Sequence, residues 1–123
     1  MSYILLIDDD KWYSQSISNM FKKQKVLVAN SPEQAMTIID TNIPYMIYLN
    51  LNLGSKNGIT ILNELQSWTD TRKVPIVLLS ADGKRLNIAD WEKYGVVEIL
   101  DKTQLTPNSL NKSLIKGKLN VKY

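Results

Sequence analysis

The sequence predicts an α/β domain in which five short apolar strands alternate with helices around one parallel sheet. Three observations carry that prediction. Five runs are apolar almost without interruption, as strands covered on both faces must be: Tyr3–Ile7, Lys25–Ala29, Tyr45–Leu49, Pro75–Leu79 and Val96–Leu100. The segments between them carry apolar residues at helical spacing. Acids, an amide, a hydroxyl and an ammonium collect where four of the strands end: Asp8–Asp10, Asn50–Leu53, Ser80-Ala81 and Asp101-Lys102.

Each element has a local reason. After the first strand, Trp12, Ser16, Ile17, Met20 and Phe21 fall near one helical stripe over residues 11–23. Ser31-Pro32-Glu33-Gln34 reads as a helix start, with Ser31 at the N-cap, Pro32 at N1 and Gln34 at N3. Ala35, Met36, Ile38 and Ile39 continue that helix and Pro44 interrupts before the third strand. Leu51–Asn57 is expected to be a polar loop; Gly58 then opens a helix marked by Ile59, Ile61, Leu62 and Leu65. Residues 84–94 are expected to form a weaker helix, with Leu86, Ile88, Ala89 and Trp91 on its apolar side and Gly95 as its C-cap. Pro107 starts a last helix with Leu110, Leu114 and Ile115 inward, and Gly117 with the lysine-rich end is expected to fray.

Length and composition bound the function. The 123 residues fit one domain, 1–123, with 103–123 forming the last helix and a basic tail. Apolar residues make up 44%, enough to bury a core. The chain has no Cys and no His, which excludes thiolate chemistry, Ser-His-Asp catalysis and His-ligated zinc. The N-terminus lacks the pattern of a signal peptide and no run approaches the ~20 apolar residues of a membrane span, so a cytoplasmic protein is expected. Net charge is +3, and Lys112, Lys116, Lys118 and Lys122 lie in a tail without acids. Such a tail can meet nucleic acid, but helix C-termini favour lysine anyway and no recognition-helix or RNA-binding pattern accompanies it.

The strand-end groups have a joint chemical rationale. Adjacent Asp8 and Asp9 repel each other and together favour a hard cation such as Mg2+. Asp9 or Asp10 also suits the N-cap of the helix near Lys11. Ser80 can hydrogen-bond a phosphoryl oxygen or simply end its strand. Lys102 can pair with Asp8 or Asp9, or stand in solvent as an ordinary lysine.

Here the chain resembles the receiver domain of bacterial two-component response regulators, over nearly its whole length. The resemblance rests on Ile4-Leu5-Leu6-Ile7-Asp8-Asp9-Asp10, on residues 44–58 from Pro44 through Asn50 to Gly58, on Pro75-Ile76-Val77-Leu78-Leu79-Ser80-Ala81, and on Asp101-Lys102-Thr103. It implies a flavodoxin-like (βα)5 fold, a five-stranded parallel sheet in the order 2-1-3-4-5. It implies that Asp8, Asp9 and the main-chain carbonyl of Asn52 hold Mg2+, that Ser80 and Lys102 contact the phosphoryl group, and that no organic cofactor is needed. The family's nucleophilic aspartate lies eight residues before the loop glycine, which here is Asn50 before Gly58.

That departure has chemical consequences. A carboxylate can attack phosphorus, whereas an amide is neutral with a delocalised nitrogen lone pair. Asn50 can still offer a carbonyl oxygen to Mg2+, but one negative charge is missing, which weakens the attraction for the cation without abolishing it. The aromatic switch position three before the lysine is Ile99, and the family's two prolines are Gly54 and Thr103. The expected function is therefore a stand-alone signalling protein that binds a protein partner, a sensor kinase or a downstream regulator, without aspartyl phosphorylation. Its partner face is expected around Trp91, Tyr94, Ile99, Lys112 and Lys116. A conventional phosphorelay receiver carrying a substitution at Asn50 is the alternative. Asp8-Asp9-Asp10 also contains the Asp-x-Asp of haloacid-dehalogenase-type phosphatases, but Trp12 stands where they carry Thr or Val and no acidic pair follows the lysine.

Overall fold

The alternation read from the sequence is the alternation of the computed structural model, which describes residues 2–53 and 56–119, the side chains of 52, 53, 56 and 57 excepted. The elements run β1 (Ile4–Ile7), α1 (Lys11–Met20), β2 (Val26–Ala29), α2 (Pro32–Thr41), β3 (Met46–Asn50), the hairpin strands β4 (Asn52–Leu53) and β5 (Lys56–Asn57), α3 (Gly58–Ser67), α4 (Thr69–Arg72), β6 (Ile76–Ser80), β7 (Val96–Asp101) and α5 (Pro107–Leu119). Strands β2-β1-β3-β6-β7 form one sheet with every pairing parallel. Setting the hairpin aside, that is the flavodoxin-like order 2-1-3-4-5.

All four residues of β1 and all five of β3 and β6 are buried, because each face of the sheet carries its own core. One core sets Leu5, Ile7, Ile47, Leu49 and Leu78 against Ala35, Ile39, Ile61, Leu62 and Leu65. The other sets Ile4, Leu6, Met46, Tyr48 and Val77 against Ile17, Phe21, Leu110 and Leu114. Tyr48 ties the second layer together. Its ring meets Phe21 edge-on at 5.0 Å, and its hydroxyl, 2.5 Å from the Ser113 hydroxyl, satisfies the one polar atom that its burial would otherwise strand.

The helix starts behave as their sequences demand. Asp10 caps α1 by accepting from the Tyr13 N–H at 2.9 Å. Ser31 Oγ accepts from the Gln34 N–H at 3.1 Å, while Gln34 reaches back to the Asn30 N–H at 2.7 Å. Gly58 is required where the chain doubles back, since a Cβ there would lie 2.6 Å from the Leu51 carbonyl oxygen.

Five local expectations are corrected. Trp12 is 89% exposed: α1 buries Ser14 and Ile17, and five residues before Ile17 is about 140° away around the helix. Residues 84–94 form three short 3-10 turns, Gly83–Arg85, Ile88–Asp90 and Glu92–Tyr94, rather than a helix. Asn87 explains part of this, because its side chain accepts from the Ala89 N–H at 3.1 Å and starts a new turn. Gly95 does end the segment, in the left-handed region at φ 83°. Ile115 is 52% exposed, since α5 buries Leu110, Ser113, Leu114 and Gly117 and Ile115 is turned off that stripe. Gly117 does not fray: α5 continues to Leu119, and Gly117 packs so closely on Met46 that a Cβ would sit 2.3 Å from its sulfur. Leu51–Asn57 is not wholly loop, because β4 and β5 pair antiparallel. Gly54 and Lys122 lie outside the described residues.

Candidate functional site

In a doubly wound sheet, groups at the carboxyl ends of strands converge where the strand order reverses. Here that point lies between β1 and β3, and it brings together Asp8 and Asn50. Asp8 follows β1 directly and is fully buried; its N–H donates to the Ala29 carbonyl at 3.0 Å and its own carbonyl accepts from the Asn30 side chain at 2.7 Å. These contacts to the end of β2 fix the backbone and aim the carboxylate inward. Asn50, the last residue of β3, is 5% exposed.

The Asp8 carboxylate is the centre of the cluster. Oδ1 accepts from the Asp10 N–H at 2.9 Å and from the Asn50 side-chain amide at 3.3 Å. A carboxylate only accepts, so the amide must present its nitrogen and turn its oxygen away. Oδ2 lies 3.1 Å from the Lys102 ammonium. That contact is short but not aligned as a hydrogen bond, so it acts as an ion pair. Lys102 is itself held. The Tyr13 hydroxyl donates to its main-chain carbonyl, and its ammonium stands 4.4 Å from the centre of the Tyr13 ring. Burial, with the negative charge of Asp8 adding to it, pushes the Tyr13 hydroxyl's pKa upward. The turn that presents Lys102 is built by Asp101, whose carboxylate accepts from the Thr103 N–H at 2.9 Å and the Thr103 hydroxyl at 2.6 Å. Those two bonds hold the Asp101 carboxyl below its ordinary range. Thr103, read from the sequence only as a missing proline, is the partner of that turn.

The other predicted residues sit around this cluster. Asp9 is exposed and takes no part in the contacts of Asp8. Ser80 ends β6, 3% exposed, and its hydroxyl accepts from the Asp82 N–H at 3.1 Å. Asn52 pairs with Asn57 in the hairpin, and its side chain lies outside the described residues. Ile99 is half-buried on β7 and packs toward the first core. Ile99 and Lys116 line one open groove of about 590 Å³, together with Lys84, Arg85, Ile88 and Glu98. Trp91 and Tyr94 lie against the first core with ring centres 5.9 Å apart, and Lys112 is exposed on α5. Sequence reasoning missed Tyr13 and Asn30. Tyr13 carried a usable signal, an aromatic three residues into a helix whose cap is already an acid of the cluster.

The donors do not suit a hard divalent cation as they stand. Such an ion takes several oxygens, at least one or two of them carboxylate. Both oxygens of the one buried carboxylate are engaged, by an N–H, an amide and an ammonium. Among the described residues, no three acids gather into a metal-holding group.

The comparisons agree with this architecture. The sequence model of the response regulator receiver domain matches residues 4–114. A protein-glutamate methylesterase/protein-glutamine glutaminase 2 of Oleidesulfovibrio alaskensis is 27% identical over 109 residues, which are 84% of this chain and 30% of that protein. The chain therefore spans less than a third of that relative. Among solved structures, a sensor protein from Polaromonas sp. JS666 superposes with a TM-score of 0.87 at 23% identity, covering 97% of both chains. Chemotaxis protein CheY4 of Vibrio cholerae gives 0.84 at 18%, over 95% of this chain and 98% of that one. The receiver domain of sensor histidine kinase PA1611 from Pseudomonas aeruginosa PAO1, solved with a magnesium ion coordinated in its active site cleft, gives 0.80 at 20%, over 94% and 96%. The structural likenesses speak for the fold, and the match over residues 4–114 for the family: the chain belongs to the response regulator receiver domain family, the signalling domain of two-component systems.

Proposed function

We propose that this chain is a receiver-type signalling module that works by binding another protein and accepts no phosphoryl group at the usual position. The observation that carries this reading is Asn50, buried at the end of β3 with its amide donating to Asp8. In this reading Asn50 occupies the phosphoacceptor position, and it lacks the anionic oxygen that attacks phosphorus. Asp8 and Asp9 stand at the metal-ligand positions together with the Asn52 carbonyl, and Ser80 and Lys102 at the phosphoryl-contact positions. Ser80 and Lys102 are both engaged within the chain, by Asp82 and Asp8.

The partner, a sensor kinase or an effector domain, would be met at the β7 edge, where the groove beside Ile99 and Lys116 is open. Ile99 packs as an aliphatic strand residue and has no ring to swing toward Ser80, so the edge keeps one shape. Backbone amide NMR tests this. Acetyl phosphate and Mg2+ together should leave the Ile99, Lys116 and Asn50 signals where they are. Displacement of all three by acetyl phosphate with Mg2+, and not by Mg2+ alone, would overturn the reading.

A further inference from the structure

We propose that Lys102 is the built-in cation of this site: its ammonium, clamped by Tyr13, takes the place on Asp8 that a divalent ion would need. The inference rests on contacts alone and does not depend on the phosphoacceptor assignment. Asp8 is fully buried, and a buried carboxylate must be balanced by a cation or by hydrogen bonds. It has both. Lys102 supplies one positive charge at 3.1 Å, and Asp10 and Asn50 supply the donors. One buried carboxylate and one ammonium already sum to zero. A divalent ion added beside Asp8 would face the ammonium at close range, with only the exposed Asp9 and Asp10 carboxylates nearby to offset its charge. Lys102 cannot readily swing aside, because only 18% of its side chain is exposed, its carbonyl is tied to the Tyr13 hydroxyl, and the ring of Tyr13 faces its ammonium. Tyr13 is in this sense a positioning residue: it touches no ligand and acts through Lys102.

The test is a titration with Mn2+, read by the electron paramagnetic resonance signal of the free ion, on wild type, Lys102→Met, Tyr13→Leu and the double variant Lys102→Met/Asp8→Asn. Removing the ammonium frees Asp8, so Lys102→Met should bind Mn2+ at least tenfold more tightly than wild type, and adding Asp8→Asn should abolish the gain. Tyr13→Leu keeps the charge and loosens the clamp, so its gain should be smaller. Each protein's far-ultraviolet circular dichroism is recorded first. Should Lys102→Met fail to fold, wild type and Tyr13→Leu decide. Wild type binding Mn2+ as tightly as either variant, with paramagnetic broadening of the Asp8 amide signal, would overturn the proposal and leave the reading of Asn50 untouched.

Discussion

Replacing Asn50 by Asp puts a second carboxylate where the amide now donates to Asp8 at 3.3 Å. The variant loses a charge-assisted hydrogen bond and gains a repulsion. Two unit charges at that separation repel by about 1 kcal/mol at the dielectric of water and about 5 kcal/mol at an effective value near 20. The penalty has a ceiling, because the pair can keep one proton. Holding an ordinary carboxyl protonated at pH 7 costs about 4 kcal/mol, at ~1.36 kcal/mol per pH unit above a pKa near 3.9. Lys102 offsets only part of the repulsion, since its ammonium is set on Asp8 Oδ2 and not on the oxygen that faces residue 50. Asn50→Asp should therefore lose about 2–4 kcal/mol at pH 7 without metal, which moves a urea midpoint by roughly 1–3 M for a domain of this size. The introduced carboxyl has a raised pKa in the folded state, so the folded protein binds more protons than the unfolded chain and the deficit shrinks as pH falls. At pH 5 the ceiling is only about 1.5 kcal/mol. Mg2+ should then restore stability to the variant, whose added carboxylate offers the ligand oxygens that Asp8, held by Lys102, does not, and not to wild type, by about 1.4 kcal/mol at ten times its dissociation constant. The assay is urea unfolding at pH 5 and 7, with and without Mg2+, followed by tryptophan fluorescence. Equal stability of variant and wild type at pH 7 without metal would refute the reasoning, because the amide-to-carboxylate contact would then carry no weight.

Three further perturbations address other parts of the account. Burial raises the pKa of the Tyr48 hydroxyl well above its ordinary 10.0. The unfolded chain therefore ionises first, and the stability that Tyr48 contributes is intact below pH 10 and lost as pH rises through its folded value. Tyr48→Phe should cost about 1 kcal/mol at neutral pH and flatten the fall of the urea midpoint above pH 10; an unchanged alkaline slope would contradict this. Gly58→Ala drives a Cβ to 2.6 Å from the Leu51 carbonyl oxygen, a backbone atom that cannot rotate away. A loss of about 1–3 kcal/mol is expected from the shift in thermal or urea midpoint. Thr103→Val removes the hydroxyl that donates to Asp101, so the Asp101 carboxyl should titrate at higher pH by carbon-13 NMR, moving back toward the ordinary carboxylate range.

Most of the fold was legible because its information is one-dimensional. Runs such as Tyr45–Leu49, five residues long and preceded by Pro44, read as strands covered on both faces, and Ser31-Pro32-Glu33-Gln34 states its own helix start. What could not be read was set by neighbours distant in the chain. Trp12 and Ile115 are apolar residues near helical spacing, and only the docking angle of α1 and α5 decides that they face solvent. Gly117 looks like a helix breaker until Met46 is placed against it. Residues 84–94 have a helical apolar pattern, but Asn87 offers the backbone a local bond that competes with the helix.

The site divides in the same way. Strand ends named Asp8, Asn50, Ser80 and Lys102 as a set, because parallel sheets gather function there. Their pairing was not in the sequence. Lys102 could have met Asp8, Asp9 or Asn50, and the turn made by Asp101 and Thr103 together with the Tyr13 clamp directs it to Asp8. Asn30 was invisible because its role is to brace a backbone carbonyl from a different strand.

We infer that the chain signals without a phosphoryl group on residue 50, and intact-mass spectrometry reads that group's presence or absence. Wild type and Asn50→Asp are incubated side by side with acetyl phosphate and Mg2+ and weighed over time. The account predicts that wild type keeps its mass throughout. A stable gain of one phosphoryl group on wild type, mapped to the peptide spanning residues 45–57, would contradict it whatever the variant does.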